Sequence, residues 1–157
     1  MSLNMFNDVQ VFADIGGSPN LKTDPREKVI EVCKRLIAEE TEETLDAIAF
    51  YKQSGSLEHL AEAVDGAIDT IYVCIFFLNQ MGIDGQAHWN LVQERNMAKF
   101  PGGIALKNEH GKIQKPEGWF PPNHLPLLIE WNSKMRGETY VGGLVRAVET
   151  KENRNAS

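Results

Sequence analysis

The 157-residue sequence predicts an all-α fold, an antiparallel helical bundle built on one long helix hairpin. Two observations carry most of that expectation. No Gly or Pro interrupts the stretch between Pro25 and Gly55, and a second run to Met81 places apolar residues every three or four positions. The third is the Gly55-Ser56 junction, so short that the two helices must fold back on each other.

The elements follow in order. Residues 4–14 suit a short helix ended by Gly16-Gly17-Ser18-Pro19. Asp24 is placed as the N-cap of the second helix, with Pro25 at its first position and Glu27 completing a capping-box-like pattern. That helix runs to about Gln53, some 29 residues or about 44 Å at 1.5 Å per residue. Ser56 caps the third helix, Leu57 to about Met81, with Gly82 as its stop. Its apolar positions are Leu60, Val64, Ile68, Ile71, Tyr72, Ile75 and Leu78. Asp84 is suited to cap a fourth helix through Lys99. The following stretch, PGGIALKNEHGKIQKPEGWFPPN, is too rich in Gly and Pro for a helix and reads as an ordered loop with a small hairpin around Glu109-His110-Gly111. Residues 124–136 suit a last short helix. The chain therefore divides into a domain over 1–136 and an extension over 137–157, the latter an arm, a packing strap or a polar frayed end. No internal repeat or low-complexity tract occurs.

Composition narrows the function classes. With 42% apolar and 24% charged residues the chain resembles an ordinary globular protein. An excess of 22 acidic over 16 basic residues argues against a general nucleic-acid binder. The start, MSLNMFNDVQ, lacks the basic and apolar regions of a signal peptide. The most apolar stretch, Ile68 to Met81, contains Asp69 and Asn79 and is too short to span a bilayer. Cys33 and Cys74 lie in apolar helical patterns without metal-ligand spacing, so buried free thiols in a reducing cytoplasm are expected. Neither membrane nor nucleic acid is an expected partner.

The acidic residues break the helical pattern. Glu39, Glu40 and Glu43 fall within an arc of about 100° on the second helix. The side running through Cys33, Leu36, Glu40, Glu43, Ala47 and Phe50 is the one that should face the core. On the third helix Glu62, Asp65 and Asp69 lie within about 60° of one another, and no Lys or Arg stands one turn from Asp65 or Asp69 on that helix. Like charges at this spacing repel, and a desolvated carboxylate needs compensation. A solvated acidic face, salt bridges from elsewhere and a divalent cation all remain open as explanations. The cation is favoured, and all-oxygen donors point to Mg²⁺ or Mn²⁺ instead of zinc. A di-iron carboxylate site is excluded, because no His has a Glu three residues before it.

EETEE at 39–43, DGAIDTIYV at 65–73, NMAK at 96–99 and GKIQKPEGW at 111–119 together resemble the MazG-like all-α NTP pyrophosphohydrolases. That superfamily includes dimeric dUTPases and phosphoribosyl-ATP pyrophosphohydrolase. The likeness spans about residues 25 to 122, and its texture is closest to the stand-alone MazG-like proteins of bacteria and phages. It implies Mg²⁺, with Mn²⁺ able to substitute, held by Glu40, Glu43 and Asp69. The family's fourth ligand stands three residues before the Asp, where this chain has Gly66; Asp65 is the substitute and Glu62 the reserve. Glu39 matches the residue that orients the attacking water or binds a further metal. Asn96 and Lys99 match the substrate-binding pair of the next helix, with an ordinary polar helix end as the plain reading. Lys112 and Lys115 stand on a loop suited to close over phosphate oxygens, or simply to remain solvated.

The implied activity is hydrolysis of a (deoxy)nucleoside triphosphate, dUTP or another pyrimidine deoxynucleotide, to the monophosphate and pyrophosphate. The competing class is a non-catalytic helical regulatory or oligomerisation module that keeps an acidic seam. A homodimer or tetramer is expected, since a hairpin with one further helix leaves apolar surface that relatives bury by association. Trp119 is expected to pack the loop onto the body, and Phe6, Phe12 and Trp89 to pack in the core rather than line a base pocket.

Overall fold

The computed structural model describes residues 4–136 and the backbone of residues 138–141 and 144–147. Five helices account for nearly all regular structure: α1 (Met5–Ile15), α2 (Arg26–Ser54), α3 (Leu57–Gln80), α4 (Gly85–Met97) and α5 (Leu125–Arg136). The all-α expectation holds. Within the extension, β1 (Glu138–Val141) and β2 (Leu144–Ala147) pair antiparallel, Glu138 opposite Ala147 and Val141 opposite Leu144. The polar end, KENRNAS, lies outside the described residues. Two compact units divide the chain, Met1–Gly85 with α1 to α3 and a second from Gln86 onward.

In the first unit, local chemistry sets each helix end. Asn4 Oδ1 accepts from the Asn7 backbone N–H at the start of α1. Ser56 Oγ accepts from the His59 N–H at the start of α3, the expected cap. Gly55 closes α2 in the left-handed region at φ 63°, its N–H donating to Tyr51 O at 2.8 Å. A side chain at that φ would meet its own carbonyl, so glycine is the natural stop. Gly82, at φ 66°, follows α3 in the same way.

Asp24 behaves otherwise than expected. Pro25, not Asp24, stands at the cap position, and no side chain caps α2. The Asp24 carboxylate instead accepts from Lys28 Nζ at 2.6 Å, Thr23 Oγ1 at 2.7 Å and the Asn20 N–H at 3.2 Å. The Lys28 and Thr23 bonds hold it below the usual carboxylate range. Three local donors outcompete the helix end.

The core lies at one end of the hairpin. Val9 and Ala13 of α1, Val29 and Cys33 of α2 and Val73, Ile75 and Phe76 of α3 are all buried there, with α3 packed against both other helices. Gln80 is buried with them. Its Nε2 donates to Pro19 O at 2.8 Å, and its backbone carbonyl accepts from the Leu21 N–H at 2.9 Å, so the α1–α2 connection is bound to the end of α3. The other end of the hairpin is open. Leu45 is 61% exposed and Ile68 57%, and Ile48, Phe50, Val64 and Ile71 are also exposed. Of the apolar stripe expected on α3, Ile75 is buried and Leu60, Tyr72 and Leu78 are half-buried, while the middle of the stripe faces outward.

Several burial expectations are corrected. Cys33 is a buried free thiol, its pKa pushed up by burial, but Cys74 is free and exposed. Phe6 is half-buried; its carbonyl accepts from Asn79 Nδ2 at 2.8 Å, and its ring fills the space where Gly85 would carry a Cβ. Phe12 is exposed, meeting Tyr72 edge-to-face at 5.6 Å between ring centres. Trp89, at 62% exposure, is not a core residue.

In the second unit, α4 ends at Met97, two residues before the expected Lys99. One turn of 3₁₀ helix at Pro101–Gly103 follows. The expected hairpin is present as a Lys107–Ile113 bridge closed around Gly111 at φ 74°. Asn108 Oδ1 accepts from the N–H groups of His110 and Lys112 and shapes the turn.

Candidate metal centre and phosphate-binding residues

The acids of α2 and α3 lie where the closed end of the hairpin gives way to the open end. Gly66 is the reason the helices come so close there. A Cβ at Gly66 would stand 3.0 Å from Thr44 Oγ1 and 3.1 Å from Thr44 Cα, so the smallest residue lets the backbones meet. Around this contact the hydroxyls of Thr44 and Thr70 lie 2.8 Å apart. Both reach the backbone carbonyl of Glu40, at 2.7 Å and 3.1 Å. Thr70 follows Asp69 directly. The bonds therefore tie the stretch of α2 that carries Glu40 and Glu43 to the stretch of α3 that carries Asp65 and Asp69.

The electrostatics of this junction centre on Glu40. It is half-buried, whereas Glu39, Glu43, Glu62, Asp65 and Asp69 are exposed. Its pKa is raised, first by desolvation and then by the charges of Glu43, Asp69, Glu39 and Asp65, in that order. Asp65, the substitute for the fourth position, is thus one of the charges that raise it. Among the described residues no Lys, Arg or His pairs with any of these six acids. The salt-bridge explanation thus has no support in this unit. The donor set is all carboxylate oxygen with uncompensated charge, which suits a hard divalent cation. As placed, however, no three His, Cys, Asp or Glu side chains among the described residues are gathered closely enough to hold a metal ion. Like charges on exposed, flexible side chains spread apart, so the two findings are compatible: the backbones bring the acids together and the side-chain ends stay separate. A shallow depression on another face of α2, lined by Lys34, Ile37, Ala38, Thr41, Glu42, Leu45 and Asp46, contains none of the candidate ligands.

The expected substrate-binding residues belong to the second unit. Lys99 Nζ donates to Asn96 Oδ1 at 2.8 Å. The same ammonium lies 5.3 Å from the ring centre of Trp119, and that of Lys115 lies 4.5 Å from it. Asn96, Lys99 and Lys115 are therefore one group. Lys112 stands apart from the indole contacts, in the turn shaped by Asn108. Arg95 is a residue that sequence reasoning misses altogether. Its Nε donates to Phe120 O at 3.1 Å, and its guanidinium lies 3.8 Å from the Phe120 ring centre. No sequence signal marks it, since both partners belong to a residue 25 positions downstream.

A family model described as phosphoribosyl-ATP pyrophosphohydrolase matches residues 18–96. The chain belongs to this family. The match covers half of the protein and includes all six acids and Asn96, and the likeness to the MazG-like all-α superfamily is consistent with it. Membership in the phosphoribosyl-ATP pyrophosphohydrolase family establishes a nucleotide pyrophosphohydrolase activity in general form. Among curated proteins nothing matches the chain. Lys99, Lys112, Lys115 and Trp119 all lie beyond the matched span.

Proposed function

We propose that this pyrophosphohydrolase cleaves a (deoxy)nucleoside triphosphate to the monophosphate and pyrophosphate with Mg²⁺, for which Mn²⁺ substitutes. The observation that carries the reading is Glu40, half-buried and under the unpaired charges of four carboxylates from two helices. Glu40, Glu43, Asp65 and Asp69 would hold the metal, with Glu62 in reserve. When bound, the ion neutralises charge on phosphate oxygens and polarises water. Glu39 orients or deprotonates the attacking water. Asn96, Lys99, Lys112 and Lys115 bind the phosphate chain and keep it in line for displacement.

The working form proposed is a cytoplasmic homodimer or tetramer. The exposed apolar side chains of the outer hairpin support the association; among the described residues no helix is long and apolar enough to cross a membrane. A pyrimidine deoxynucleotide such as dUTP heads the substrate panel because the sequence resemblance points there.

Pyrophosphate release across standard and damaged nucleotides, with and without Mg²⁺, tests the reading directly. Glu40→Gln should lower Mg²⁺-dependent turnover by roughly 100-fold or more, with the helical circular dichroism signal unchanged. Near-normal turnover would overturn the ligand assignment. Silence across the panel would favour the non-catalytic module.

A further inference from the structure

Trp119 packs its loop, as its sequence context suggests, but the way it packs has chemical content. Pro116-Glu117-Gly118-Trp119 is a tight turn, closed by the Trp119 N–H donating to Pro116 O at 3.1 Å, with Gly118 at φ 75°. The turn carries the indole back to the end of α4, where Nε1 donates to Arg95 O at 2.8 Å. The last carbonyls of a helix lack partners within it, so this bond satisfies one of them and fixes the ring. Trp119 is half-buried.

A fixed indole has electron-rich faces, and two ammonium groups lie against this ring: Lys115 from the loop and Lys99 from just past α4. The two nitrogens can be no farther apart than the sum of their distances to the ring centre. Among the described residues neither ammonium is paired with a carboxylate. Glu94 contacts Arg95, and Glu109 contacts His110. Two like charges drawn together without neutralisation make a station for a multiply charged anion. Asn96 Oδ1 accepts from Lys99 and so steadies the more distant of the pair.

We infer that Trp119 is a positioning residue that holds Lys99 and Lys115 as a single station for the polyphosphate chain of the substrate. The inference rests on the function proposed above, for which it names an organising side chain outside the family match. The indole does not touch the reacting atoms. It lowers the freedom of two long side chains, so that less order must be created when phosphate binds.

Two measurements on the full-length chain test this. In a single-tryptophan form carrying Trp89→Phe and Trp131→Phe, inorganic tripolyphosphate is titrated in EDTA while Trp119 emission is followed. A saturable change is expected, with Lys115→Ala weakening the apparent affinity about tenfold. A flat titration overturns the station. In steady-state assays of the otherwise native chain, Trp119→Phe keeps a π face and Trp119→Leu keeps only apolar bulk. The Leu variant should raise KM about tenfold with a smaller change in kcat, and the Phe variant should recover most of that loss. Equal KM values for the two variants, with helical signals matching the native chain, would leave Trp119 a packing residue only. If tripolyphosphate saturates the site while no nucleotide is hydrolysed, the station stands and the proposed reaction fails. Normal hydrolysis with a flat titration would keep the reaction and discard the station.

Discussion

The two ends of the α2–α3 hairpin share one helix pair and differ in what covers them. At the closed end, where α1 and the α1–α2 connection are bound to α3, Val29 is 0% exposed and Cys33 1%. At the open end Leu45, Ile48, Phe50, Val64 and Ile68 are as apolar but face outward. The acids lie between these regimes, where Glu40 is half-buried and its neighbours are exposed. Periodicity alone does not separate the ends; coverage does. A position at their boundary lets one carboxylate be partly desolvated while the others stay exposed to solvent.

Truncation at the two ends sharpens that contrast most strongly. Val29→Ala should cost about 2 kcal/mol, since it opens a cavity in a closed core, and denaturant melts should show it at every protein concentration. Ile68→Ala should cost less than about 0.5 kcal/mol in the isolated chain. If a second copy covers the open end, that cost grows with association and the Tm difference becomes concentration-dependent. An Ile68→Ala loss as large as that of Val29→Ala at high dilution would break the comparison.

Gly66→Ala probes the boundary itself. The new Cβ would press on Thr44, backbone included, and force the helices apart. A loss of about 1 kcal/mol is expected from overpacking, together with weaker Mg²⁺ binding by calorimetry, because the Thr70 bond to Glu40 O depends on the same contact. Unchanged stability and metal affinity would show that the close approach is unnecessary.

The smallest effect is at Asp24, whose carboxylate pKa is lowered by its bonds to Lys28 and Thr23. A lowered folded-state pKa contributes stability above the unfolded value, and that contribution fades as pH falls through the folded one. Asp24→Asn should therefore melt slightly below the native chain at neutral pH, with the gap closing below about pH 4. The partner ammonium of Lys28 is exposed, so solvent screening keeps the gap small. A gap that widens in acid would contradict the assignment.

Much of the fold is legible in the sequence. Ser56 does cap α3, Gly55 and Gly82 do stop the helices that precede them, and the Gly/Pro-rich segment does hold a hairpin around Gly111. These are local decisions, taken within four or five residues. Asp24 departs from its expected role because Lys28 and Thr23 compete for the same carboxylate, a contest that a capping pattern does not reveal. Val64 and Ile68 face outward because a period of three or four says which residues share a face and not what lies against it. For the candidate site, the shared helix faces of the acids are readable from their spacing, whereas the contact between Gly66 and Thr44 depends on two helices meeting. The role of Trp119 is hidden for the same reason: its indole partner is a backbone carbonyl 24 residues upstream.

Gln80 bears on the order in which the protein assembles. Its amide holds Pro19 O, 61 positions earlier in the chain, and its carbonyl holds the Leu21 N–H. These long-separation contacts cannot form until the third helix has been synthesised to its last turn. On the ribosome the segment that holds Pro19 and Leu21 therefore emerges well before it can dock, waiting on a residue translated 61 positions after Pro19.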